Sequence, residues 1–188
     1  MGTISNSGSM NSKPGPLEGS WLLTPKVHAD SRGQFIESFQ KDVFAKQTGL
    51  SIDFIQDNEV VSEHGVVRGL HLQKAPHAQA KLIRVVQGQI YDVAVDLRAD
   101  SSTYGEWFGV ELSADNQIQL FLPKGFAHGY SVLSERAIVQ YKVDAPYNPQ
   151  AESGIRFDDP DLGIDWQVDN PKLSDKDQKL SFLKQLNP

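Results

Sequence analysis

The chain has no cysteine among its 188 residues. Disulfide staples and thiolate metal sites are thereby excluded, and a reducing, cytoplasmic setting is compatible with the composition. No apolar run approaches the roughly 18 residues that a membrane-spanning helix needs. Positive charge is in short supply: 18 Lys and Arg stand against 24 Asp and Glu, a formal net charge of -6. Without a basic run the chain is a poor nucleic-acid binder, because that affinity comes largely from neutralising phosphates. A local basic pocket for a phosphorylated small molecule stays open to it. Repeats are absent, and so is low complexity beyond residues 1–20. That stretch is rich in Gly, Ser and Asn, has a second Met at Met10, and lacks the apolar centre of a signal peptide. It reads as a flexible tail of the kind cloning leaves, followed by one domain over residues 21–188. A domain of this size buries roughly 70% of its unfolded surface, enough for a core without staples.

What is present from Trp21 onward is a series of short β-branched runs between turn residues. The pattern predicts strands at Gly33–Phe39, Phe54–Glu63, Val66–Leu72, Lys81–Val86, Gln89–Leu97, Trp107–Leu112, Gln119–Leu122, His128–Leu133, Ala137–Val143 and Gly154–Phe157. Short strands at this spacing indicate an all-β sandwich or barrel. Helices are expected only at Asp42–Thr48, stopped by Gly49, and around Asp175–Lys184. In Ile90–Arg98, Tyr91, Val93, Val95 and Leu97 share one face, while Asp92, Ala94, Asp96 and Arg98 share the other. The polar face either meets water or lines a barrel lumen where a ligand sits; period alone does not separate the two.

Five histidines offer chemistry. His28, His64 and His77 fall in polar surroundings and read as surface residues. His71 differs: GVVRGLHLQ, Gly65–Gln73, places it and Arg68 inside an apolar strand, and burying such groups costs several kcal/mol unless they find partners. His71 is either a core histidine satisfied by backbone or a functional base, since a pKa near 6.5 suits a general base at neutral pH. Lys81 and Tyr141 also carry both a structural and a functional reading. Arg68 and His71 lie an odd number of residues apart, so strict alternation sends them to opposite faces. A bulge at Gly69 would re-aim one of them; otherwise Arg68 serves a partner subunit's ligand or none. His128 lies in PKGFAHG, Pro123–Gly129, whose Pro-x-Gly-x-x-His spacing resembles the second half of the cupin signature. Where metal-binding cupins carry His-x-His, this chain has His71-Leu-Gln73, and two histidines alone make a poor metal site.

Longer strings carry a specific resemblance. RGLHLQ at Arg68–Gln73, QAKLIRVVQGQIYDVAVDLR at Gln79–Arg98, QLFLPKGFAHGY at Gln119–Tyr130, SSTYGEW at Ser101–Trp107, YNPQAE at Tyr147–Glu152 and LSDKD at Leu173–Asp177 closely resemble the dTDP-4-dehydrorhamnose 3,5-epimerase family. The likeness runs from about Trp21 to the C-terminal region. It implies a cupin-like double-stranded jelly roll with a few short peripheral helices, a homodimer, and neither metal nor organic cofactor. The implied activity is isomerisation of a deoxythymidine-diphospho-4-keto-6-deoxyhexose at C3 and C5 in dTDP-rhamnose biosynthesis. It puts the base on His71 and its orienting carboxylate on Asp177, with Asp175 as the nearby alternative. The acid falls on Tyr141 and the lysine near the keto oxygen on Lys81. Substrate contacts fall on Arg32, Glu37, Gln56, Asn58, Arg68, His128, Glu152 and Lys176, with Arg32 and Arg68 holding the diphosphate. A single-site epimerase and a non-catalytic sugar-nucleotide-binding cupin are the alternatives.

Overall fold

The computed structural model describes residues 10–186. Thirteen strands are found among them: β1 (Met10–Pro14), β2 (Trp21–Pro25), β3 (Val27–Asp30), β4 (Gly33–Ile36), β5 (Gln56–Glu63), β6 (Val67–Gln73), β7 (Lys81–Gln87), β8 (Gln89–Asp96), β9 (Trp107–Ser113), β10 (Gln119–Leu122), β11 (Phe126–Val132), β12 (Arg136–Val143) and β13 (Glu152–Gly154). They form a six-stranded sheet in the order β1-β2-β10-β7-β12-β5 and a five-stranded sheet in the order β13-β6-β11-β8-β9. The strands β3 and β4 make a separate hairpin. Every strand pairing is antiparallel. Two facing antiparallel sheets make the jelly roll that the resemblance implies.

Alternation along the strands fills three layers. Between the sheets lie Ile83, Leu120 and Val139 from one and Ile90, Ala94 and Val132 from the other. Behind the five-stranded sheet, Val67, Val93, Val95 and Ala127 pack under Ile155, Leu162 and Trp166. Behind the six-stranded sheet, Leu82 and Phe121 are covered by Phe44 of the helix α1 (Lys41–Thr48). Both faces of β8 are therefore covered, and Asp92 and Ala94 look into the space between the sheets. The helix begins where the Gln40 side chain accepts from Val43 N–H and ends at Gly49, whose φ of 75° suits a residue without a Cβ.

The strand β6 carries the irregularity that Gly69 invites. His71 stands opposite His128 and Arg68 opposite Tyr130, so three steps on β6 match two on β11. That extra residue is a bulge. It lifts the strict alternation that would part Arg68 from His71.

Three expectations need correction. The tail expected over residues 1–20 becomes strand at Met10, which is buried with Leu23 and Phe44; residues 1–9 lie outside the described residues. The edge position of β1 accommodates Pro14, which a central strand would not. The helix expected at Asp175–Lys184 is two short 3-10 turns, Asp177–Lys179 and Leu183–Gln185. Between them Ser181 bridges to Ile155, and that pairing draws the chain out straight. The strand expected over Gly33–Phe39 stops at Ile36, and β1, β2 and β3 were not foreseen.

Candidate active site

The bulge turns His71 toward a cavity between the two sheets. His71 Nε2 lies 2.7 Å from Asp177 Oδ1. Asp177 is itself fixed: its other oxygen accepts from Gly69 N–H at 3.3 Å, and its own N–H donates to Ser174 Oγ at 3.1 Å. Its side chain is 5% exposed, against 30% for the imidazole. Burial alone would raise the Asp177 carboxyl, but the bond to His71 and those from Gly69 and Ser174 outweigh it and hold the group below its ordinary value. Asp177, and not the exposed Asp175, is the carboxylate at the ring.

Tyr141 reaches the same cavity from the opposite sheet. It sits on β12 between Asn58 of β5 and Ile83 of β7. The cavity holds about 160 Å³, and His71, Lys81 and Tyr141 line it together with Gln56, Asn58 and Glu152. Burial raises the Tyr141 phenol above its ordinary value, with Arg68 opposing and Glu152 adding to the rise. Lys81 donates to the backbone oxygen of His71 at 3.3 Å. Burial lowers its ammonium to about 8, although the carboxylates of Asp92 and Glu152 pull the other way. An imidazole, an ammonium and a phenol thus converge on one space, from two walls.

The other expected contacts divide. Gln56 donates to Asn58 Oδ1 at 2.8 Å at the cavity wall. Glu152 receives Lys176 Nζ at 2.5 Å and the Tyr147 hydroxyl at 2.6 Å, which closes one rim. Arg68 reaches from β6 to the facing sheet, its Nε donating to the buried Ser62 Oγ of β5 at 3.0 Å, and it is not in the cavity lining. His128 is buried and bonded to Asp92 at 2.9 Å, behind His71 across the ladder and not in the cavity lining. Arg32 and Glu37 are not brought to the cavity. Arg32 pairs with Asp30 at the exposed tip of the β3–β4 hairpin, and Glu37 follows that hairpin, exposed. His28, His64 and His77 are exposed, as their polar surroundings suggested.

Two participants escaped the sequence reading. Tyr147 lines the cavity; its string YNPQAE figured in the resemblance, but no role fell on Tyr147 itself. Asp92 belongs to the inward polar face of β8, but nothing in the spacing points to His128 as its partner. Gln73, which stands where a His-x-His pair would put its second ligand, spends its amide on the backbone oxygens of His77 and Pro146 and on Asn148 N–H.

The chain is similar to proteins already known. The family model described as dTDP-4-dehydrorhamnose 3,5-epimerase matches residues 14–185. A dTDP-4-dehydrorhamnose 3,5-epimerase of Methanothermobacter thermautotrophicus is 49% identical over 175 residues, covering 92% of this chain and 93% of its own. A dTDP-4-dehydrorhamnose 3-epimerase of Streptomyces niveus is 39% identical, covering 93% of this chain and 84% of its own. Among solved structures, the Legionella pneumophila dTDP-6-deoxy-D-glucose-3,5-epimerase in complex with dTDP-4-keto-L-rhamnose superposes with a TM-score of 0.91 at 41% identity, covering 95% of each chain. The chain belongs to the dTDP-4-dehydrorhamnose 3,5-epimerase family.

Proposed function

We propose that this protein is an isomerase that inverts C3 and C5 of dTDP-4-dehydro-6-deoxy-D-glucose to give dTDP-4-dehydro-L-rhamnose. The observation that carries the reading is the meeting of His71 and Tyr141 in one cavity from opposite sheets. Inversion needs a base on one side of the sugar ring and an acid on the other.

The chemistry follows from the ketone. A proton on a carbon beside C4 becomes acidic because the charge left behind spreads onto the keto oxygen. His71 takes that proton, and Asp177 holds the ring in one orientation and stabilises the imidazolium. The Lys81 ammonium faces the enolate oxygen, a preorganised charge contributing several kcal/mol. Tyr141 gives its proton to the carbon from the other face. The imidazolium loses its proton to solvent and the phenolate regains one, after which the second carbon is treated alike. Charge resides on oxygen throughout, so the step calls for neither metal nor organic cofactor. At the rim, Glu152 with Lys176, and Gln56 with Asn58, meet the sugar and nucleotide, while Arg68 is placed for a phosphate. His128 supports His71 from behind, with Asp92 as its partner.

Arg32 and Glu37 fit this scheme in a homodimer. Their hairpin pairs with no other strand among the described residues and presents Phe35 at 68% exposure. Docked on a second copy, it would carry Arg32 toward that copy's cavity. A cytoplasmic location goes with this reading.

Turnover of the keto sugar in deuterated water tests the assignment. Product carrying deuterium at both C3 and C5 is expected; absence of label from folded protein overturns it. A second reading, inversion at C3 alone, is favoured by the Streptomyces niveus relative's name, and label at one carbon would establish it.

A further inference from the structure

The loop between β12 and β13 carries Tyr147 into the cavity lining. Among the described residues, no hydrogen bond between backbone groups reaches residues 144–147 of that loop. Pro146 and Pro149 have no N–H to give. Groups from the segment that joins β6 to β7 hold the loop instead. Gln79 Nε2 donates to the Ala145 carbonyl at 2.7 Å, and Asp144 Oδ1 accepts from Ala80 N–H at 2.7 Å. Gln73, the last residue of β6, is 5% exposed. Its Nε2 donates to Pro146 O at 3.2 Å and to His77 O at 2.7 Å, and its Oε1 accepts from Asn148 N–H at 2.7 Å. One buried amide therefore holds the backbone on both sides of Tyr147. The Tyr147 side chain is itself 55% exposed, so packing does little to place it. Its hydroxyl donates to Glu152, which is the ladder partner of Gln73.

We infer that Gln73 and Gln79 are positioning residues for substrate binding: they fix the backbone around Tyr147, so that its ring forms part of the cavity wall before a ligand arrives. The inference rests on the epimerase reading for the identity of that ligand. A loop ordered in advance does not have to be ordered by the ligand, and the difference appears as affinity. Both glutamines also line the cavity. Yet both N–H bonds of the Gln73 amide go to backbone oxygens, so that amide acts on the loop and not on the ligand. Neither glutamine takes part in proton transfer.

Gln73→Met keeps the length of the side chain and removes its hydrogen bonds to Pro146, His77 and Asn148. The variant is expected to bind dTDP about tenfold more weakly by calorimetry, the worth of one or two hydrogen bonds. KM for the keto sugar should rise by the same factor, with kcat within about twofold of the parent. Gln79→Met, at a half-buried position, should weaken dTDP binding about threefold. Parent-like affinity in both variants, or a fall in kcat at unchanged KM, overturns the inference. Tyr147→Ala is expected to weaken dTDP binding by about tenfold or more, and adding Gln73→Met to it should weaken binding no further. Multiplied losses contradict the inference, because Gln73 would then act on the ligand or on the whole fold. A second measurement needs no ligand. The Asn148 amide, which donates to Gln73, should exchange its hydrogen about tenfold faster in Gln73→Met, while the β6 and β11 amides keep the parent's rates. Should the parent neither bind dTDP nor convert the keto sugar, the epimerase reading fails, and the exchange at Asn148 still decides whether Gln73 holds the loop. Parent-like exchange there overturns the inference.

Discussion

A histidine ring that swings freely meets a substrate carbon only part of the time, and Asp177 removes that freedom at His71. Replacing the carboxylate by an amide keeps the shape and loses both the orientation and the charge behind the imidazolium. We predict that Asp177→Asn lowers kcat by about 10²–10⁴-fold with little change in KM, measured by steady-state conversion of the keto sugar. Lys81 supplies a pH signature. Its ammonium is lowered to about 8 by burial, so the charge is present below that value and is lost as pH rises through it. Enolate stabilisation goes with the charge, and kcat is expected to decline above about pH 8. In Lys81→Arg, whose guanidinium keeps its proton, the decline should move to higher pH, as a pH–rate profile would show. At this scale the candidate base, acid and lysine were legible through the resemblance of the surrounding strings. The choice between Asp175 and Asp177 was not, because it depends on a turn near residue 177 docking beside β6, more than a hundred residues away in sequence.

Among the elements, β6 has the most to do, and its bulge depends on one glycine. Gly69 has φ of +110°, and a Cβ there would lie 2.6 Å from both Gly129 Cα and His128 O. Neither backbone atom can give way without moving β11. Gly69→Ala is therefore expected to destabilise the protein by about 3 kcal/mol, read from denaturant unfolding, and to displace His71 from Asp177. An unfolding midpoint equal to the parent's would refute the bulge as a constraint. The central strands were readable because their hydrophobic period of two survives burial on either face, as in β8. Its polar face turned inward, a choice that period alone left open. The first strand was hidden by its composition: MNSKP offers only Met10 to a core, and its order comes from hydrogen bonds to β2. The C-terminal segment carries a helix-like composition, yet tertiary pairing of Ser181 with Ile155 overrides it.

For the whole molecule, two sheets face each other with the proposed base on one and the proposed acid on the other, and a hairpin pairs with neither. Subunit mixing tests the proposed dimer. If Arg32 acts in the cavity of a second copy, Arg32→Ala and His71→Ala, each impaired alone, should regain activity when unfolded together and refolded, since mixed dimers then contain one complete site. No recovery, with dimers demonstrated by analytical ultracentrifugation, would place Arg32 outside the partner's site. The jelly roll was legible from strand spacing and the Pro-x-Gly-x-x-His turn; the separate path of the hairpin was not, because exposed strands of four residues carry no core pattern. The claim on which the account turns is that proton removal and proton return are performed from opposite walls by different residues. It is tested most directly by following label uptake and inversion side by side in deuterated water for His71→Ala and Tyr141→Phe. The account predicts neither process in the first variant, and in the second continued uptake of deuterium with inversion largely lost. Loss of both processes to the same degree in both variants, or parent-like inversion in Tyr141→Phe, would contradict it.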